Sequence, residues 1–408
     1  MGEILFLAHR VPFPPDRGDK IRAHHLLRRL ASIAPVHVGC FAESDADRVG
    51  KANLEAIAAS HCIVNRSKPL VLAGVEALAA RKPVSLTAFH SHALEKWVRS
   101  VIAERYIDTI VIFSGQMGQY IPDGFAGRVV IDLCDVDSAK FESYAASGTR
   151  VWVNLREGRL LARYEEELAR RADATILISE AEAALFRSRL RSPATVNVQV
   201  IGNGIDAAYF DPQRAETHGE IAARPGPHFT FTGQMDYPPN EAAALWAIKE
   251  FLPEIRKSFP EAELHIVGRG PTRTLLSMKP TKGLSIWGEV PDVRPFISVT
   301  NCVIVPLMIA RGVQNKVLEA MAMARPVLLT PQAATGIDAT DGEHWLVCKP
   351  SPTAMAGRIK TLLNAPDHAF EMGSAARQFV LDHHDWDATL APLERLIGMS
   401  ESEARDAA

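Results

Sequence analysis

Short runs of consecutive apolar residues alternate along this chain with longer stretches whose apolar positions recur every three or four residues. Continuous runs suit strands buried on both faces, and the amphipathic stretches suit helices that cover them, so the pattern predicts parallel sheets in an α/β fold. Ile4–Ala8, Val36–Phe41, Thr109–Phe113, Val129–Leu133, Thr175–Ser179 and Val198–Ile201 form a first series of predicted strands. Between them a helix is expected over Lys20–Ala31, with Ile21, Leu26, Leu27 and Leu30 on its apolar side, and a long one over Val151–Arg171. A second series comprises Phe229–Thr232, Glu263–Val267, Leu284–Trp287, Cys302–Pro306, Pro326–Thr330 and Trp345–Cys348. Ile201-Gly-Asn-Gly-Ile-Asp206 separates the two series, and its glycines suit a sharp, positive-φ connection between domains.

Length supports the same division, because 408 residues exceed one ordinary core. Two Rossmann-like domains in tandem are therefore expected, with ligands bound in a cleft at the carboxyl ends of the strands. The formal net charge of −3 gives no global attraction for nucleic acid. No apolar run approaches the roughly 20 residues of a membrane span. Five scattered cysteines in an odd number read as reduced thiols, and residues 1–10 enter a strand with no basic leader, so a cytoplasmic protein is expected.

The densest chemistry lies in Ala310-Arg-Gly-Val-Gln-Asn-Lys-Val-Leu-Glu-Ala-Met-Ala-Met-Ala-Arg-Pro-Val327. It follows a predicted strand, places Gly312 in the turn, and then reads as a helix from about Val313. Amides at a helix N-terminus are unpaired and partly positive, so this turn can bind a phosphate or a sugar oxygen. Lys316 adds a full charge there, and Glu319, three residues on, can accept two hydroxyl hydrogen bonds such as a ribose diol offers. The alternative is a surface Lys–Glu pair at i, i+3.

Gly-x-x-x-Lys-x-x-Glu-Ala-Met-Ala followed by Pro-Val resembles glycosyltransferase family 4, a family of retaining GT-B enzymes. Four further segments resemble that family in the right order: Val200–Pro212 at the domain boundary, Phe231-Thr-Gly-Gln-Met235, His265–Pro271 and Ile286-Trp-Gly-Glu-Val290. Arg10–Asp19, Asp132–Ser138 and Tyr237-Pro-Pro-Asn240 are most similar to the exopolysaccharide sugar transferases associated with exosortase (PEP-CTERM) systems. The resemblance implies an acceptor-side domain over 1–203, a nucleotide-sugar domain over 204–385 and a segment 386–408 that crosses back to the first domain. It implies that Glu319 holds the ribose, that Lys316 and the amides from Gly312 and Val313 meet the diphosphate and sugar, and that backbone at Gly18, Gly233 and Val290 approaches the donor.

Two positions depart from the family pattern. Arg311 stands where a second glutamate is common, and Gln234-Met-Asp-Tyr237 replaces a basic pair. Arg269 and Lys316 are then the best candidates to neutralise phosphate. No cofactor and no metal are expected, since the substrate is a nucleoside-diphosphate sugar and GT-B enzymes rely on side chains and helix dipoles.

On the acceptor side the candidates are His9, at the end of the first strand, and Asp135 and Asp137 in Asp132-Leu-Cys-Asp-Val-Asp-Ser138. Carboxylates there can bind acceptor hydroxyls or serve as a catalytic base, Asp137 in particular; alternatively Asp137 or Ser138 caps a helix. His24–His25 and His383–His384 are adjacent residues that point apart on a helix and make no bidentate site. Lys20, Arg22, Arg28 and Arg29 give Lys20–Leu30 a basic character, suiting either a solvated face or weak contact with anionic membrane beside a saccharide or lipid-linked acceptor. Rival functions are a nucleotide-sugar epimerase, a sugar phosphorylase, or a non-catalytic nucleotide-binding module.

Overall fold

The apolar runs pair side by side into two sheets in the computed structural model, which describes residues 2–15, 18–43, 47, 50–146, 148, 150–310 and 313–399. Two compact units result, one made of the chain up to Asn203 with a return segment from Thr389, the other of Gly204–Ala388.

The first unit holds strands β1 (Glu3–Ala8), β2 (Val36–Ala42), β3 (Ser60–Asn65), β4 (Ile107–Phe113), β5 (Arg128–Cys134), β6 (Ala174–Leu177) and β7 (Val198–Val200). Their order is β3-β2-β1-β4-β5-β6-β7, with every pair parallel. β1 and β2 are buried along almost their whole length, as a doubly covered sheet requires. β3 was not legible as a strand: it is the edge of the sheet, half-buried up to the exposed Asn65, and Ser60, His61 and Asn65 leave an apolar run of only Cys62–Val64.

The second unit holds β8 (His228–Thr232), β9 (Glu263–Val267), β10 (Leu284–Gly288), β11 (Cys302–Val305), β12 (Val327–Leu329) and β13 (Leu346–Val347). They are ordered β10-β9-β8-β11-β12-β13 and again parallel. In each sheet the chain reverses its direction of travel beside the first strand, between β1 and β4 and between β8 and β11. Such a reversal opens a crevice at the carboxyl ends of those strands, where ligands of doubly wound sheets bind.

The helix Gly18–Ile33 corrects the expectation of a basic outer face. It buries Leu26, Leu27 and Leu30 as predicted, but it buries Lys20 and Arg22 with them. Lys20 Nζ lies 2.5 Å from Asp47, and Arg22 Nε lies 2.8 Å from Asp132. Arg29 pairs with Glu394 of the return segment, so of the four cations only Arg28 is exposed. Each burial is possible because a carboxylate far away in sequence meets the charge. The basis for membrane contact through Lys20–Leu30 is thereby removed.

Glycines at the unit boundary also differ from expectation. Neither Gly202 nor Gly204 takes a positive φ. Gly204 is required for space: a Cβ there would lie 2.7 Å from Trp386 Cα, and Ile205 N donates to His384 O at 2.7 Å.

Candidate active site

Two glycine loops and one helix converge at the reversal point of the second sheet. Gly233 follows β8 at φ +152°, and a Cβ on it would lie 2.7 Å from Lys316 Nζ and 3.0 Å from Asn240 Nδ2. Gly268 follows β9 at φ +145°, where a Cβ would meet Gly233 O at 1.8 Å. Only residues without a Cβ let these backbones and the lysine approach so closely. Gly233 N donates to Val267 O at 3.0 Å and Met235 N to Arg269 O at 2.8 Å, which joins the two loops into one platform.

The helix after β11 spans Asn315–Ala322, two residues shorter at its start than the sequence pattern implies. Val317 N and Leu318 N bond to Gln314 O, so the amides of Asn315 and Lys316 are the first-turn donors with no earlier carbonyl in the helix. Val313 is exposed and precedes the helix; Gly312 and Arg311 lie outside the described residues.

Lys316 Nζ donates to Asn240 Oδ1 at 2.6 Å and sits 4.6 Å from the centre of the Phe231 ring. Asn240 is held in turn by donating to Gln234 O at 2.9 Å. Burial lowers the Lys316 pKa to about 8, with Glu319 opposing the shift. Glu319 lies one turn along the same face, half-buried, and no hydrogen bond reaches its carboxylate among the described residues. Burial raises its pKa to about 7, against the pull of Lys316. Burial thus shifts both groups toward their neutral forms in the unliganded protein, Glu319 to about half-ionised near pH 7 while Lys316 stays mostly protonated. An anion at Lys316 and a pair of hydroxyls at Glu319 would restore each charged form.

Arg269 turns its exposed guanidinium to Gln234 Oε1 at 2.8 Å. Val290 lies two residues past β10, packed against the small cluster of Ile221, Val267 and Phe296. Asn240 was singled out in the sequence only as the end of Tyr237–Asn240. Its role depends on a contact with Lys316 across 76 positions, which no local pattern reveals.

In the first unit the predicted residues do not converge in the same way. Gly18 opens the first helix, exposed, with no atom within 4 Å of a Cβ built on it. His9 is buried at the end of β1, stacked on Phe113 with ring centres 5.6 Å apart. Its Nε2 lies 3.2 Å from Asp19 and 3.0 Å from Arg10, while its Nδ1 is buried with no partner among the described residues. His9 and Arg10 hold the Asp19 carboxyl well below the usual range, against its burial.

The three aspartates after β5 separate into different environments. Asp132 is buried and bonded to Arg22, which also donates to the carbonyls of Ile201 and Gly202 at 2.8 and 2.6 Å. Asp135 is half-buried, and burial raises its pKa. Asp137 begins the helix Asp137–Ala146 and pairs near the surface with Lys140 at 3.0 Å. Among the described residues, neither Asp137 nor Ser138 accepts a capping bond from an amide of that helix. Glu165 accepts from Ser138 N and Ser138 Oγ at 2.9 and 2.6 Å, and Glu182 accepts from Val136 N at 2.9 Å.

Two groups among the described residues bring metal-ligating atoms together. His90, His92 and Glu95 form one, with Glu95 already engaged by Arg99 at 3.1 Å. His228, Glu263 and His265 form the other, at the amino ends of β8 and β9. There Trp287 Nε1 lies 3.3 Å from His265 Nδ1, and an indole N–H can only donate. His265 therefore carries its proton on Nε2, facing His228 Nδ1 at 3.2 Å, which is the wrong tautomer for a metal at that nitrogen. Burial lowers its pKa to about 3, so it stays neutral.

Taken together, the two sheets and their order define a protein of the GT-B fold. Residues 226–365 match the family described as glycosyl transferases group 1. A 234-residue stretch is 26% identical to a phosphatidyl-myo-inositol mannosyltransferase of Propionibacterium freudenreichii subsp. shermanii, covering 56% of each chain, so the match spans about half of that relative's length. Among solved structures, sucrose-phosphate synthase from Thermosynechococcus elongatus is similar at TM-score 0.57 and 16% identity, over 97% of this chain and 98% of that one. Anabaena Alr3699/HepE in complex with UDP-glucose gives TM-score 0.55 and 16% identity over 97% and 99%. An apo structure of OtsA gives 0.63 and 11% over 98% and 100%.

Proposed function

We propose that this chain transfers a glycosyl group from a nucleoside-diphosphate sugar to an acceptor hydroxyl, with the donor held by the unit Gly204–Ala388. The observation that carries this reading is the pair Lys316 and Glu319, charged groups pressed toward neutrality beside a glycine platform. The family match over 226–365 covers this same region, and one similar structure was solved with UDP-glucose. In the reaction the bond from the sugar's anomeric carbon to the diphosphate oxygen breaks, and the acceptor oxygen bonds to that carbon while its proton passes to a base. Lys316, the first-turn amides and Arg269 offset the charge that grows on the leaving diphosphate. Glu319 orients the nucleotide through its ribose, which lowers the entropic cost of reaching the reactive geometry. His9, Asp135 and Asp137 are proposed on the acceptor side. A retaining outcome, a saccharide or lipid-linked acceptor in exopolysaccharide synthesis and a cytoplasmic location extend the family resemblance to this chain.

A thermal-shift panel of nucleoside diphosphates tests the donor assignment, because a ligand specific for the native state raises the melting temperature by mass action. One base should stand out, and Glu319→Ala should abolish the shift it gives. A flat response across the panel overturns the reading. Transfer should also require an acceptor, whereas an epimerase would release nucleotide-bound product without one.

A further inference from the structure

In the first unit, the helix Leu70–Ala80 is packed inside out. It turns Ala73 and Ala77 inward, and both are fully buried. It turns Leu70, Val71, Val75 and Leu78 outward, with 66%, 81%, 60% and 53% of their surface exposed. A helix covering a core normally does the reverse, since each buried Leu or Val side chain is worth about 1.5–3 kcal/mol. The first turn of the helix Val151–Arg171 continues the apolar surface with Val151, Val153 and Leu155, and with Trp152 at 67% exposure. Arg156 bridges the two helices by donating to Ala77 O at 2.8 Å and Lys82 O at 3.2 Å. A groove of about 430 Å³ lies between them, lined by Leu78 and Trp152 and by Arg81, Arg156, Arg159 and Arg163.

The charge around this surface has one sign. Arg81, Lys82, Arg150, Arg159 and Arg163 are exposed on its border. The acids of the same elements are engaged or lie elsewhere. Glu76 pairs with Lys68 at 2.8 Å, and Glu157 is buried while accepting from Val84 N and Ser85 N. The next exposed acid along the second helix, Glu167, is a full turn beyond Arg163.

The geometry points to this surface as the site where the protein lies on an anionic lipid bilayer, with Leu70–Leu78 and Trp152 entering the interface and the arginines meeting lipid phosphates. Apolar side chains on one face, an indole at the margin and long cationic side chains that can reach up to headgroups are the three elements of interfacial binding. A second copy of the chain fits poorly, because a two-fold contact would set arginines against arginines. The proposal is independent of the donor site and does not involve the helix Gly18–Ile33.

Co-sedimentation of the full chain with vesicles tests it, using phosphatidylcholine alone and phosphatidylcholine mixed with phosphatidylglycerol. Binding is expected to the mixed vesicles and to weaken in high salt as the arginines are screened. Arg159→Ser with Arg163→Ser should lower that binding roughly twenty-five-fold, from two charges each worth about fivefold. Val71→Asp with Trp152→Ser should lower it at least as far; both positions are exposed, so the fold should be kept. Hydrogen exchange on vesicle addition should show protection over residues 70–80 and 151–156. Absence of binding to mixed vesicles, binding that neither variant changes, or protection confined to other segments overturns the proposal. A dimer in solution that Val71→Asp abolishes, with no vesicle binding, assigns the surface to a second copy and overturns it equally.

Discussion

The loop-to-helix junctions after β5 and after β11 look alike in sequence and behave oppositely in structure. Each leaves a buried parallel strand and carries charged residues into a helix. After β5, Asp132 is bonded to Arg22, the Ser138 amide to Glu165 and Asp137 to Lys140. After β11, Lys316 has one neutral partner and a ring beneath it, and the Glu319 carboxylate has no hydrogen bond among the described residues. Charges that already have counter-charges stabilise the fold and have little left to offer a ligand. Burial pushes Glu165 up to about 7 as well, but its carboxylate already accepts from Ser138 N and Oγ, whereas Glu319 accepts from no described residue. A burial-shifted charge without a partner is one that a ligand could complement.

Breaking the β5 junction should have the largest effect. Asp132→Ala leaves the Arg22 guanidinium buried without its carboxylate and should cost about 3–5 kcal/mol, read from denaturant unfolding. A loss below about 1 kcal/mol would mean that the ion pair is solvated and the contrast is false.

Glu319→Gln should act in the other direction. The native pKa of about 7 lies above the ordinary value of 4.5, so the native state binds the extra proton and wild-type stability falls as pH rises from 4.5 to 7. The variant escapes that loss. It should be more stable than wild type by roughly 1–3 kcal/mol above pH 7 and indistinguishable below about pH 4.5. Under the proposed ribose contact, nucleotide affinity of the wild type should weaken on the acid side of pH 7, because hydroxyls donate to the ionised form. Equal stability of the two proteins at pH 8 would show that Glu319 carries no burial penalty.

Gly233→Ala sharpens the same site from the backbone side. Its Cβ would displace Lys316 Nζ and Asn240, and its φ of +152° is strained for any residue with a side chain, so a loss of about 1–3 kcal/mol is expected. Calorimetry should show nucleotide affinity falling as well, since Lys316 moves; unchanged affinity would separate Lys316 from the ligand.

The smallest effect belongs to Asp137→Asn. Its pair with Lys140 is near the surface, at i, i+3, and should be worth less than about 0.5 kcal/mol. If transfer activity nevertheless collapses in a fully stable variant, Asp137 acts as the acceptor-side base, and the first junction is more than structural.

The strand pattern could be read from sequence because a strand buried on both faces of a parallel sheet must be a continuous apolar run, whatever its neighbours. Glu263–Val267 and the helix Val151–Arg171 are found where the pattern places them. β3, half-buried at a sheet edge, carries no such requirement and was missed. That Lys316 and Glu319 share one face of a helix after a buried strand was legible as well, since i, i+3 spacing is local. Tertiary structure alone decided which charges are satisfied. Arg22 reads as a solvent-facing cation until the fold brings Asp132 to it across 110 positions, and Lys316 reads as freely charged until Asn240 and Phe231 enclose it. Periodicity records which way a side chain points within its own element. The dielectric and the partners it meets there come from segments distant in the chain, and those set its charge and its chemistry.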